Sequence, residues 1–276
     1  MTYATVMVGM ALGRPNDGPL EIAAELAERF GAKVIGIAAA EFSPPLYFTD
    51  GEAAQQVIDQ GWAAAKSRIA ELESEFRGAM QNRAGEVEWR SAEDFPTRYV
   101  IQQARACDII VVGEVGRTGI ADPFSQVNPS DLVMQAGRPL IVVPDACNWL
   151  DLRSVLVAWK DTAEARRAIS DALPLLRKAT EVTIAEIVED GADRTAAVSR
   201  VGDVVTWLSR HNVRASEQVP EQCGHAATQL ERIASHVGAG VVVAGAYGHS
   251  RLSEWMLGGV TRDLINPSKR CSLLSH

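Results

Sequence analysis

The chain has 276 residues and a formal net charge of −8, with a sequence pI near 5.2. That length suits one large domain or two ordinary ones, and the acidic balance argues against a general binder of nucleic acid or of an anionic membrane. Hydrophobic content is 47% and charged content 22%, which is ordinary for a globular protein with one or two real cores.

The N-terminal stretch "MTYATVMVGMALG" lacks the basic start and cleavage site of a signal peptide. No apolar run approaches the roughly 18 residues that a membrane helix needs. The expectation is a cytoplasmic protein with no membrane partner. In chain order, a short apolar strand is predicted at Thr5 to Met10, an amphipathic helix at Leu20 to Phe30 and a second strand at Lys33 to Ala38. The segment "FSPPLYFTDGEAAQQVIDQGW" follows, rich in proline, glycine and aromatics, before a helical pattern resumes from Ala63 to Met80. A strand near Val87 to Ser91, a helix from Thr97 to Ala106, the apolar run "IIVV" and a last strand at Leu140 to Pro144 complete this set. The order then starts again. Strands are predicted at Ser154 to Trp159, Val182 to Val188 and Val213 to Gln218, with helices at Glu164 to Lys178, Ala196 to His211 and Ala226 to Val237. The run "VVVA" and a closing strand at Ser272 to Ser275 end the chain.

The two sets are one unit written twice. "DIIVVGEVGRTG" aligns with "GVVVAGAYGHSR" without a gap, so that Gly113 matches Gly245 and Gly116 matches Gly248, a shift of 132 that persists to Arg138 and Arg270. The front parts correspond at a shift of about 149, which leaves some seventeen extra residues in the first half, placed between 42 and 62. Strands alternating with helical patterns of this length give βαβ units and a parallel sheet covered on both faces. The boundary falls in "PDACNWLDLRS", dividing the chain into domains at 1–146 and 147–276.

The stretch "GAYGHSRLSEWMLGGVT", Gly245 to Thr261, places glycines straight after a strand and again before the apparent first turn of a helix. Bare amides at such places can hold an anion beyond the carboxyl ends of the strands. Neither G-x-x-x-x-G-K-[ST] nor a tight G-x-G-x-x-G after the first strand is present. Gly245, Gly248 and Gly258 do match G-x2-G-x9-G-[ST], with Gly259 where Ser or Thr is usual. In this the chain resembles the universal stress protein family, in tandem form. The resemblance implies two doubly wound domains, each a five-stranded parallel sheet with helices on both faces, Rossmann-like and akin to the adenine nucleotide alpha hydrolases. It also implies an adenine nucleotide as partner: ATP, with or without Mg.

Carried over residue by residue, the resemblance puts first-strand contacts at Ala158, Trp159 and Lys160, and a second-strand contact near Ile187. It puts fourth-strand and loop contacts at Ala244, Gly245, Tyr247, Gly248, Gly258, Gly259 and Val260. Lys160 stands where ATP-binding members carry Asp, with Asp161 beside it. In the first half Gln126 and Val127 replace Gly258 and Gly259, so nucleotide is expected in the second half alone. His249 and Arg251 follow Gly248 and could touch phosphate.

No G-x-S-x-G elbow and no metal-ligand cluster is found, and the scattered Cys107, Cys147, Cys223 and Cys271 form no CxxC pair. The expectation is a stress-response regulatory protein, not an enzyme, with slow ATP hydrolysis still open and no catalytic or metal residues assigned. The alternative is an interaction scaffold with both pockets closed and unknown protein partners. "PLIVVP" and "CSLLSH" read as apolar edge strands that need a partner. The halves are therefore expected to pair as a pseudo-dimer, and two chains to form a homodimer.

Overall fold

The computed structural model describes residues 2–41, 51–115, 122–246 and 269–276. The first half contains β1 (Thr5–Gly9), α1 (Asp17–Phe30), β2 (Lys33–Ala40), α2 (Gly51–Met80), β3 (Val87–Glu93), α3 (Pro96–Gln103), β4 (Ile109–Gly113), α4 (Pro129–Gln135) and β5 (Leu140–Val143). The second contains β6 (Ser154–Ala158), α5 (Ala163–Leu176), β7 (Glu181–Ala185), α6 (Arg194–Arg210), β8 (Ala215–Gln218), α7 (Ala226–His236), β9 (Val241–Gly245) and β10 (Cys271–Ser275).

The ten strands among the described residues lie in one sheet of order β3-β2-β1-β4-β5-β10-β9-β6-β7-β8. Each half is a parallel five-stranded array, and the halves are mirror images in strand order. They join where β5 and β10 run antiparallel, with Ser272 opposite Val142 and Leu274 opposite Leu140. Every residue of these two strands is buried. Left apart, each would expose apolar side chains and a row of unpaired backbone groups, which is the physical reason that they pair. The expected α/β architecture is present, and the halves meet through the strands that the sequence marked.

Apolar side chains cover both faces. α1 and α2 close one face of the first half, and α5 and α6 continue that layer over the second, so one core runs from Tyr3 through Leu150 and Leu152 to Leu208. α3 and α4 cover the opposite face of the first half, and α7 that of the second. The halves are also tied by polar contacts. The Tyr3 hydroxyl donates to the Asp171 carbonyl at 2.7 Å. The linker is pinned to α1, where Arg29 donates to the Leu150 carbonyl and Leu150 N–H to Glu25, each at 3.0 Å.

β7 ends at Ala185 and not at Val188, α1 begins at Asp17 and not at Leu20, and the largest boundary difference from the sequence expectation is at α2. α2 begins at Gly51, not at Ala63. The alanines and glutamines of "AAQQVIDQ" favour helix intrinsically, and this first part of α2 lies largely at the surface, with Val57 37% exposed. A face that packs on no core carries little apolar periodicity, so the pattern reading began the helix where burial begins.

Candidate functional site

At the carboxyl ends of β6, β7 and β9 the register gathers residues far apart in sequence. Ala158 stands between Ala185 on β7 and Ala244 on β9. β6 and β9 are the neighbours across which strand order reverses, the place where open α/β sheets bind ligands. Of the sequence-predicted site, Ala158 and Ala244 pair here and Gly245 ends β9, Trp159 and Lys160 follow directly after β6, and Ile187 lies two residues beyond the end of β7. Tyr247, Gly248, Gly258, Gly259 and Val260 lie outside the described residues, as do His249 and Arg251.

Trp159 prolongs β6 by donating its backbone N–H to the Ala185 carbonyl at 2.8 Å. Its side chain turns into the core on the α5/α6 face and is only 8% exposed. The indole Nε1 is buried with no hydrogen-bond partner among the described residues. Lys160 stands at the rim, its Nζ 2.8 Å from Glu189 Oε1, and that ammonium holds the Glu189 carboxyl below the usual range. Asp161 is engaged by Arg166 at 2.5 Å. Thr162 then caps α5, its hydroxyl accepting from Ala165 N–H at 3.3 Å.

Gly245 has a packing reason to be bare. A Cβ there would fall 2.5 Å from the Ala165 amide nitrogen and 2.6 Å from the Glu164 carbonyl carbon. The first turn of α5 lies directly on the end of β9. The equivalent Gly113 is under no such pressure, since its Cβ would meet nothing nearer than Pro19 Cγ at 3.5 Å.

Sequence reasoning missed Glu186. It is 7% exposed, at the end of β7, and its Oε1 accepts from Arg200 of α6 at 2.5 Å. Its second carboxylate oxygen is buried without a partner among the described residues. The signal was present in "VTIAEIV", where an acid interrupts an otherwise apolar run. Such a residue stays inside only when paired.

The first half offers a cavity of about 150 Å³ at the matching place, between the ends of β1, β4 and β5, lined among others by Gly9, Ala11, Gly113, Gln126 and Val143. Its polar walls are already engaged. The buried Asn16 carboxamide accepts from Ala11 N–H at 2.9 Å and donates to the Ala11 carbonyl at 3.0 Å and the Arg14 carbonyl at 3.2 Å. Arg14 clasps the Asp145 carboxylate at 2.6 Å and donates to the Glu114 carbonyl at 2.9 Å. Asn128 Oδ1 caps α4, taking the Ser130 and Asp131 amides, and Pro129 has no amide to give. The amides that a phosphate would use at this helix start are thus occupied or missing.

Among the described residues no group of three or more His, Cys, Asp or Glu could hold a metal, and no helix is long and apolar enough to cross a membrane.

The family model described as "Universal stress protein family" matches residues 2–144. No curated protein sequence matches the chain. A universal stress protein from Archaeoglobus fulgidus DSM 4304 superposes over 98% of this chain and 95% of its own length, with a TM-score of 0.71 at 16% identity. A putative universal stress protein from Pseudomonas aeruginosa UCBPP-PA14 covers 99% of this chain and 93% of its own, with a TM-score of 0.62 at 14% identity. These likenesses establish the fold over both halves. A universal stress protein in complex with cAMP reaches a TM-score of 0.39 over 52% of this chain and 98% of its own, at 22% identity; its ligand is a property of that protein.

Proposed function

From the premise that the chain belongs to the universal stress protein family, we propose that it is a regulatory protein that binds an adenine nucleotide, ATP with or without Mg, at the carboxyl end of the second-half sheet. Residues 1–146 and 147–276 are taken as its two domains. The observation that carries the reading is the register: Ala158 stands beside Ala185 and Ala244 at the reversal of strand order, and the chain runs on from β9 into the glycine stretch.

In this reading the phosphates lie on amides of Gly248 and of Gly258 to Val260, and Lys160 leaves Glu189 to meet them. An exposed pair of that kind is worth under about 1 kcal/mol, so the exchange is cheap. The base and ribose lie against the ends of β6 and β7, with Ala158 and Ile187 as apolar wall. Trp159, turned into the core, supplies backbone and not a stacking face. The acids at this end, Asp161 and Glu186, are each engaged by an arginine, which favours binding over turnover. The nucleotide is taken to set partner contacts in a stress response, in a cytoplasmic protein that associates as a homodimer.

A second reading has one observation in its favour: the described cavity lies in the first half. There the protein is an interaction scaffold, its second pocket closed and its first open to something smaller than a nucleotide.

Isothermal titration of ATP, with and without Mg, into the wild type, Gly258→Trp and the equivalent Gln126→Trp separates these. One site per chain, lost in Gly258→Trp alone, supports the proposal. Loss in Gln126→Trp alone moves the site to the first half. No heat at millimolar ATP leaves the scaffold.

A further inference from the structure

The segment joining the halves carries one thiol and the last strand another. β5 ends at Val143 and the chain turns at Pro144, whose carbonyl accepts the Cys147 N–H at 2.9 Å. β10 runs antiparallel to β5 with Ser272 opposite Val142, so Cys271 enters the sheet beside the end of β5, where that turn comes back. Cys147 Sγ lies 3.5 Å from the Lys269 carbonyl, two residues short of Cys271. Cys147 packs against the same core cluster as Cys271, near enough for each thiol to shift the ionisation of the other.

The two thiols are not equivalent. Cys271 is 1% exposed, whereas Cys147 is half-buried and reachable. The neighbouring Cys271 thiol holds the Cys147 pKa below the ordinary thiol value. The same contact, with burial, raises Cys271. Ionisation and access therefore coincide at Cys147, with a second sulfur beside it, which is the arrangement of an attacking thiol and a resolving thiol. Neither other cysteine has this. Burial pushes the Cys107 thiol up to about 12, and Cys223 is exposed, with no thiol partner among the described residues.

We propose that Cys147 and Cys271 form a hydroperoxide-reactive dithiol that closes a disulfide across the seam between the two halves. The Cys147 thiolate attacks one peroxide oxygen. The O–O bond breaks, Cys147 becomes a sulfenic acid, and the other oxygen leaves, with a proton, as water or alcohol. The Cys271 sulfur then attacks the Cys147 sulfur. The S–O bond breaks, the Cys271 proton goes to the departing hydroxide, and water leaves as the S–S bond forms. Two thiols lose two electrons and one peroxide bond gains them.

The bond would tie residue 147 to residue 271, closing a loop that holds nearly all of the second half. Long closed loops restrict the unfolded chain most, so the oxidised form should melt higher by roughly 5 °C or more.

The test uses the full chain, reduced, freed of reductant and treated with a few equivalents of hydrogen peroxide. Non-reducing peptide mapping should show the peptides of Cys147 and Cys271 linked, with a loss of two hydrogens, in the monomer, reversed by dithiothreitol. Cys147→Ser should abolish the link, and Cys223→Ser should leave it and the melting shift unchanged. Mapping on the wild type needs no variant, so misfolding of Cys271→Ser would not confound it. The proposal is overturned if Cys147 advances to the sulfinic acid with Cys271 still free. It is equally overturned if peroxide consumes Cys223 into linked dimers while the 147 and 271 peptides remain reduced.

Discussion

Replacing Gly245 by alanine tests whether this glycine is bare for packing or for ligand. The added Cβ would sit 2.5 Å from the Ala165 nitrogen and 2.6 Å from the Glu164 carbonyl carbon. Comfortable separation is about 3.5–4.0 Å, so something must give by roughly 1 Å. The obstructing atoms are backbone of a helix that packs on β9 and β10 and cannot swing aside like a side-chain tip. Overpacking of this kind costs about 1–3 kcal/mol, and the rigidity of the obstacle places Gly245→Ala toward the upper end. At about 2–4 °C per kcal/mol for a domain pair of this size, the melting midpoint should fall by roughly 4–10 °C. Gly113→Ala is the internal control. Its Cβ meets only Pro19 Cγ, at 3.5 Å, and loss of unfolded-chain freedom offsets any crowding, so a change within about 1 kcal/mol is expected. Urea unfolding followed by tryptophan fluorescence reads both. Equal stability of the two variants would refute the packing account and return Gly245 to the ligand.

The remaining predictions concern charges and a cap. Arg90 and Lys33 hold Glu88 down from 4.5 to about 2. Its contribution to stability is then complete above 4.5 and lost as pH falls from there toward 2. Glu88 is about a third exposed, so screening limits the effect to under about 1 kcal/mol; the gap between wild type and Glu88→Gln in urea unfolding should narrow as pH falls from 4.5 toward about 2. Arg200→Ala strands the buried Glu186 carboxylate and should cost about 2 kcal/mol, more than Lys160→Ala, whose partner Glu189 stays solvated; similar losses would mean that Glu186 finds water. Asn128→Ala leaves two α4 amides without their acceptor and should cost about 1 kcal/mol, whereas an unchanged midpoint would show the cap to be redundant.

Much of the fold was legible because its signals are local. "IIVV" and "VVVA" are apolar at every position, as strands covered on both faces must be, and the exposed start of α2 was missed because its environment imposes no such pattern. The duplicated register of Gly113 with Gly245 set out the two halves and the order of their strands. The site was legible only in part. Ala158, Ile187 and Ala244 were named only through the family resemblance, and Glu186 drew no notice because its partner Arg200 sits on a helix whose facing is fixed only by packing.

The sequence by itself determined most of which segments are strands and helices, that the unit occurs twice, and that a glycine-rich stretch follows the ninth strand. Those properties depend on each residue and its chain neighbours, and periodicity reports them directly. Tertiary structure alone decided that Gly245 must clear the first turn of α5, that Arg14 and Asp145 clasp across the first-half cavity, and that Cys147 returns to Cys271 at the seam. Each joins residues brought together by strand register and helix packing, and the energy of such a contact depends on distances of a few ångströms that no one-dimensional pattern contains.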